Sequence, residues 1–153
     1  MFNPRLILHP TDYSESSKYA MQVAADLAGQ YQARILILHV VETLGPENVT
    51  FGEATSQLEP SSYRQRLEED LRQREPAPPG LPVEYLLAEG DTAQEIQRVA
   101  QDRGCDLIVM GAHGRGGFLS RLVMGRTAEK VIRLAPCPVL TTKISIPQPS
   151  SSH

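Results

Sequence analysis

Several absences narrow this sequence before anything present in it is read. No apolar stretch approaches the ~20 residues needed to cross a bilayer, so no membrane span is expected. Cysteine occurs twice, at Cys105 and Cys137, in a spacing that matches no metal-binding pattern. The N-terminus is not signal-like, and a reducing cytoplasm is the expected compartment. Positive charge is not in excess either. Lys and Arg total 15 against 18 Asp and Glu, a formal net charge of −3, which argues against nucleic acid as the main partner. The chain has no Walker-type Gly-Lys-(Ser/Thr), no internal repeat and no convincing β-hairpin signal.

What is present suits one globular domain: 153 residues, 41% apolar and 22% charged, enough to bury a core without metal or disulfide support. Arg5–His9 is a short apolar run stopped by Pro10 and reads as a buried strand. Asp12 and Ser14 then offer helix-start chemistry, with Asp12 and Glu15 at capping-box spacing. Apolar residues at 20, 23, 24, 27 and 31 mark one buried helix face, with Gly29 loosening its end. Arg34–Val41 is apolar at nearly every position, as in a strand covered on both faces. Glu42–Ser62 reads as a long loop and Tyr63–Glu75 as a charged surface helix with a narrow apolar stripe. A strand over Val83–Ala88 follows, then a helix capped by Asp91 with Gln94 and closed by Gly104. Asp106–Met110 is the fourth strand. A helix over Thr127–Leu134 and a fifth strand over Val139–Lys143 complete the domain, 1–143. Residues 144–153 form a Pro/Ser-rich tail expected to be disordered.

Strand and helix alternate without hairpins, which implies crossover connections. The fold class is therefore α/β: a single-domain open parallel sheet with helices on both faces. In such sheets ligands settle beyond the carboxyl ends of the strands, where strand order reverses. That end gathers His9–Asp12, His39–Val41 and Met110–Gly114. Charge is uneven in the same region: residues 115–133 carry a net +4 on a chain whose remainder carries −7. A basic segment beside a glycine-rich strand–helix turn suits a small anion, because glycine lets backbone N–H groups approach phosphate oxygens. The competing reading is a basic, solvated helix face.

Ile7–Ser14, Leu38–Glu42, Gly90–Ala93, Asp106–Gly117 and Ala135–Leu140 occur in the order seen in the universal stress protein family, which the chain resembles over residues 4–143. The resemblance implies a five-stranded parallel sheet of Rossmann-like, adenine nucleotide alpha hydrolase-like type. It also implies a homodimer pairing through the last strand and, in one branch, ATP held without strong hydrolysis. That branch has the pattern Gly-x2-Gly-x9-Gly-(Ser/Thr). Here Gly111 and Gly114 fit, but ten residues separate Gly114 from Gly125, and Arg126 stands where a hydroxyl is expected. Arg126 accepts no capping bond, but its guanidinium suits a forked, charge-assisted bond to phosphate, and Thr127 is placed to cap one residue later.

By resemblance, Pro10, Thr11, Asp12 and Val40 hold the adenine and ribose side. Met110, Gly111, His113, Gly114 and Arg115 line the phosphate path, which Gly125, Arg126 and Thr127 close. Each has a structural alternative: Asp12 as a helix cap, Val40 and Met110 as core, His113 as loop filling. The expected ligand is ATP, with Mg2+, AMP and ADP left open, beside an unidentified protein partner. No catalytic or metal-ligating set emerges. Phosphoryl transfer needs a positioned nucleophile and a metal clamp, and His113 alone is thin support for either. Two alternatives to an ATP-binding regulatory module stay open. One is a stress protein acting by protein contacts without nucleotide; the other is a slow ATPase using His113 and magnesium.

Overall fold

The computed structural model describes residues 1–42, 60–113 and 124–144. Its elements are β1 (Leu6–Pro10), α1 (Glu15–Tyr31), β2 (Arg34–Val41), α2 (Pro60–Arg74), β3 (Val83–Glu89), α3 (Thr92–Asp102), β4 (Leu107–Gly111), α4 (Arg126–Leu134) and β5 (Val139–Thr142). All strand pairs are parallel, in the order β3-β2-β1-β4-β5. Chain direction across the sheet reverses between β1 and β4, and that switch point leaves a crevice at the strand ends.

Side-chain alternation along the strands builds two apolar layers. Leu8, Leu36, Leu38, Ile108 and Met110 face Ala93, Ile96 and Val99 of α3 and Ala128 and Val131 of α4. Ile7, Ile35, Ile37, Leu107 and Val109 face Ala20, Met21, Ala24 and Ala28 of α1 and Leu71 of α2. Burial on both faces is why β1 and the centre of β2 show no polar alternation.

Local chemistry refines three expectations. Ser14, not Asp12, caps α1: its side chain accepts from the Ser17 amide, while Asp12 Oδ1 accepts from Ser14 N and Ser17 Oγ. α1 also runs past Gly29 to Tyr31. It is Gln32, in the left-handed region at φ 56, that ends it, with the amides of Gln32 and Ala33 both reaching the Ala28 carbonyl. α2 starts at Pro60, three residues before the apolar stripe, because proline at a first helical position has no amide to satisfy. Asp91 and Gly104 act as expected: Asp91 accepts from Gln94 N, and Gly104 turns at φ +63. Of the proposed long loop, residues 43–59 lie outside the described residues, as do 145–153 of the tail.

Candidate functional site

The strand ends enclose a cavity of about 660 Å³, within the range that binds small ligands. β1 leads into it through Pro10, Thr11, Asp12 and Tyr13. β2 contributes Leu38, His39 and Val40, and β4 ends in it with Met110, Gly111, Ala112 and His113. Gly125, Arg126, Thr127 and Ala128 at the start of α4 close one side; Asp70 and Arg74 of α2, with Thr92 and Ile96 of α3, close the others. Of the residues expected from the sequence, Pro10, Thr11, Asp12, Val40, Met110, Gly111, His113, Gly125, Arg126 and Thr127 come together here. Gly114 and Arg115 lie outside the described residues.

The β1 side is tightly self-bonded. Thr11 N–H donates to the Leu38 carbonyl at 2.8 Å. Its hydroxyl donates to Glu75 Oε1 at 2.7 Å and accepts from Tyr13 N at 3.1 Å, and its carbonyl meets His39 Nδ1 at 2.8 Å. Glu75 is buried, and burial raises its carboxyl above the ordinary range although the Thr11 hydrogen bond opposes the shift. Tyr13 occupies the left-handed region at φ 66, which costs a non-glycine residue of order 1 kcal/mol or more. It is held there by contacts on its ring: His39 with centroids 4.5 Å apart, and the Arg74 guanidinium 4.4 Å from its centroid. Arg74 also pairs with Asp70 at 3.4 Å.

At the end of β4 the glycine has a different reason from the one expected. A Cβ on Gly111 would lie 2.9 Å from the backbone carbon of Ser16 and closer still to its hydroxyl, so Gly111 is required by the approach of α1. The next two amides are also committed to protein. Ala112 N donates to the Thr142 carbonyl at 2.9 Å, and His113 N to Ser16 Oγ at a long 3.4 Å. The α4 end is open by contrast. Gly125, not Thr127, is the N-cap: its amide donates to the Ala112 carbonyl at 2.7 Å, and no side chain caps the helix. The amides of Arg126, Thr127 and Ala128 therefore begin α4 with no intrahelical partner. Arg126 is exposed and has no acidic partner among the described residues.

The cavity thus has two poles. Asp12 and Glu42 supply acceptors on the β1–β2 side, where Asp70 is paired with Arg74, whereas amides and a guanidinium supply donors at α4. Among the described residues no group of three His, Cys, Asp or Glu is placed to hold a metal. His9 is fully buried, with Nδ1 on the Val109 carbonyl at 2.9 Å. The sequence places His39 at this end but does not show the wall it builds with Tyr13 and Arg74. Aromatic Tyr13 between Asp12 and Ser14 was its one visible signal; nothing local to α2 announces that Arg74 reaches β1.

The model of the "Universal stress protein family" matches residues 4–143. Universal stress protein MJ0531 of Methanocaldococcus jannaschii is 33% identical over 140 residues, covering 90% of this chain and 81% of that one. The solved structure of hypothetical protein MJ0577, also of M. jannaschii, aligns with a TM-score of 0.72 at 25% identity, over 95% of this chain and 99% of that one. A universal stress protein solved in complex with cAMP shares the fold, with a TM-score of 0.65 at 20% identity, over 94% of this chain and 99% of that one. No helix among the described residues is long and apolar enough to cross a membrane. With nearly its whole length matched, the chain belongs to the universal stress protein family.

Proposed function

We propose that this protein is an ATP-binding regulatory module of a stress response, acting in the cytoplasm as a homodimer. The observation that carries the reading is the start of α4: three backbone amides without a side-chain cap, at the rim of a strand-end cavity, beside Arg126, which has no acidic partner among the described residues. Helix-start amides and the helix dipole favour an anion there. Arg126 takes over from the expected hydroxyl as a forked phosphate donor. The acidic pole formed by Asp12 and Glu42 disfavours phosphate and suits sugar hydroxyls, which gives the nucleotide one orientation. A ligand bound this way biases a partner surface through its differential affinity for two states. β5 is a sheet edge, and pairing with its twin would cover its exposed backbone groups.

Thermal unfolding with and without millimolar Mg-ATP tests the reading. Binding raises the midpoint by several degrees, and Arg126→Ala removes most of the rise. No shift in the parent rejects the proposal. That outcome would favour a protein-contact role without nucleotide, the reading supported by the commitment of the Ala112 and His113 amides to protein groups. Phosphate release over hours distinguishes a slow ATPase from a pure binder.

A further inference from the structure

Resting on the nucleotide reading above, we infer that His39 is a specificity-determining residue: its Nε2 accepts a hydrogen bond from the exocyclic amine of a purine. Nδ1 lies 2.8 Å from the Thr11 carbonyl, an acceptor only, so Nδ1 carries the proton in the neutral ring. Nε2 is then the lone-pair nitrogen, and it has no hydrogen-bond partner among the described residues, on a half-buried side chain that lines the cavity. The hydrogen bond to Thr11 and the tilted contact with the Tyr13 ring, centroids 4.5 Å apart, hold the imidazole in this orientation.

The carbonyl that sets this tautomer is itself immobilised. Thr11 bonds through its amide to Leu38, and its hydroxyl links buried Glu75 to the amide of Tyr13. A buried carboxylate is costly unless hydrogen-bonded, so its placement behind a turn that holds one imidazole is a strong constraint on that turn. Glu75 acts as a positioning residue here, through Thr11.

Strand spacing supplies the ligand's end. The phosphate pole adjoins β4, whose last residue connects through Ala112 to Gly125. β1, which leads into Asp12, stands between β4 and β2. Two strand spacings of about 4.8 Å put the β2 end roughly 10 Å from the β4 end. That separation leaves room for a sugar over β1 and a base over β2. The β2 end offers Nε2 of His39 as an acceptor, beside the Arg74 guanidinium on Tyr13 and a Glu42 carboxylate already bonded to the Thr92 hydroxyl, so a base that presents an amine to the imidazole fits it.

The test compares ATP with purine riboside triphosphate, which lacks the amine, by calorimetry on the full chain. The parent prefers ATP by roughly three- to tenfold, the contribution of one neutral hydrogen bond. His39→Phe keeps a flat ring but has no acceptor, and its preference falls to about one with both affinities still measurable. A parent that binds both equally overturns the inference while leaving the nucleotide reading intact; a parent that binds neither overturns both. A second measurement does not depend on the variant's folding. Nitrogen-15 NMR of the ligand-free parent shows His39 protonated at Nδ1, and a ring protonated at Nε2 alone refutes the assignment.

Discussion

α1 and α4 both begin at the rim of the cavity. Ser14 caps α1 through the Ser17 amide and is backed by Asp12, whereas Gly125 offers the first amides of α4 no side chain at all. The difference continues outward. The α1 start is packed so closely on β4 that Gly111 has no room for a Cβ beside Ser16. The α4 start is tied to the residue after β4 by a backbone hydrogen bond, from Gly125 N to Ala112 O. One helix start is built into the sheet; at the other, no side chain among the described residues caps the amides. A fold that satisfies nearly every buried polar group leaves such donors uncapped where water or a ligand can take them.

The largest effect follows from loosening the α1 side. Gly111→Val places a branched side chain against the backbone of Ser16, which cannot move without shifting α1. It should cost about 3 kcal/mol, the upper end of overpacking penalties, read as a lower urea midpoint at unchanged slope. Adding Ser16→Gly recovers only part of the loss, since the backbone carbon at 2.9 Å remains. Full stability in Gly111→Val would show that α1 is not built against β4 as described.

Acid should weaken the same side almost as much. His9 is fully buried, two residues from Ile7 on the α1 face, and its Nε2 has no hydrogen-bond partner among the described residues. Burial lowers its pKa from 6.5 to about 4, with the Val109 carbonyl opposing the shift. The unfolded chain therefore binds the extra proton first. Stability is fully present above pH 6.5 and falls as pH drops toward about 4, by on the order of 3 kcal/mol. Glu75 works in the opposite sense: its raised carboxyl favours the fold at low pH and loses that contribution as pH rises through the raised value. Comparing the parent with His9→Phe across this window isolates the imidazole. An equal slope in both proteins would rule out His9 as its source.

The contrast between the helix starts also explains what was legible in the sequence. The parallel α/β fold was readable because strands covered on both faces are apolar throughout, as in Ile35–Leu38. Most of the site was readable because strand ends converge by topology, whichever side chains they carry. Capping was less legible, since Asp12, Ser14 and Thr127 each have suitable chemistry and only backbone geometry selects among candidates. Arg74 was illegible for a stronger reason. Its reach to Tyr13 depends on how the single buried Leu71 seats α2, a tertiary fact that charge-rich local sequence does not encode. Gly111 was legible as a strand-end glycine, but the packing that also requires it, the approach of Ser16 from α1, is a tertiary fact.

The smallest effect in stability is the sharpest in function, and it comes from exchanging the two kinds of helix start. Gly125 has φ −63 and ψ 154, a backbone that aspartate adopts without strain. Gly125→Asp should gain a few tenths of a kcal/mol from the new cap. Its carboxylate also occupies the amides and repels phosphate, so Mg-ATP affinity drops about tenfold, a loss of about 1.4 kcal/mol. Ser14→Ala removes the cap at the other helix and costs about 1 kcal/mol of stability, with Mg-ATP affinity held within about twofold. Equilibrium dialysis and urea unfolding on both variants give the four numbers. If Gly125→Asp binds as tightly as the parent, phosphate does not sit on α4. If Ser14→Ala weakens binding equally, the free amides of α4 are not what separates the two ends of the cavity, and the ligand's grip must be shared across the whole rim.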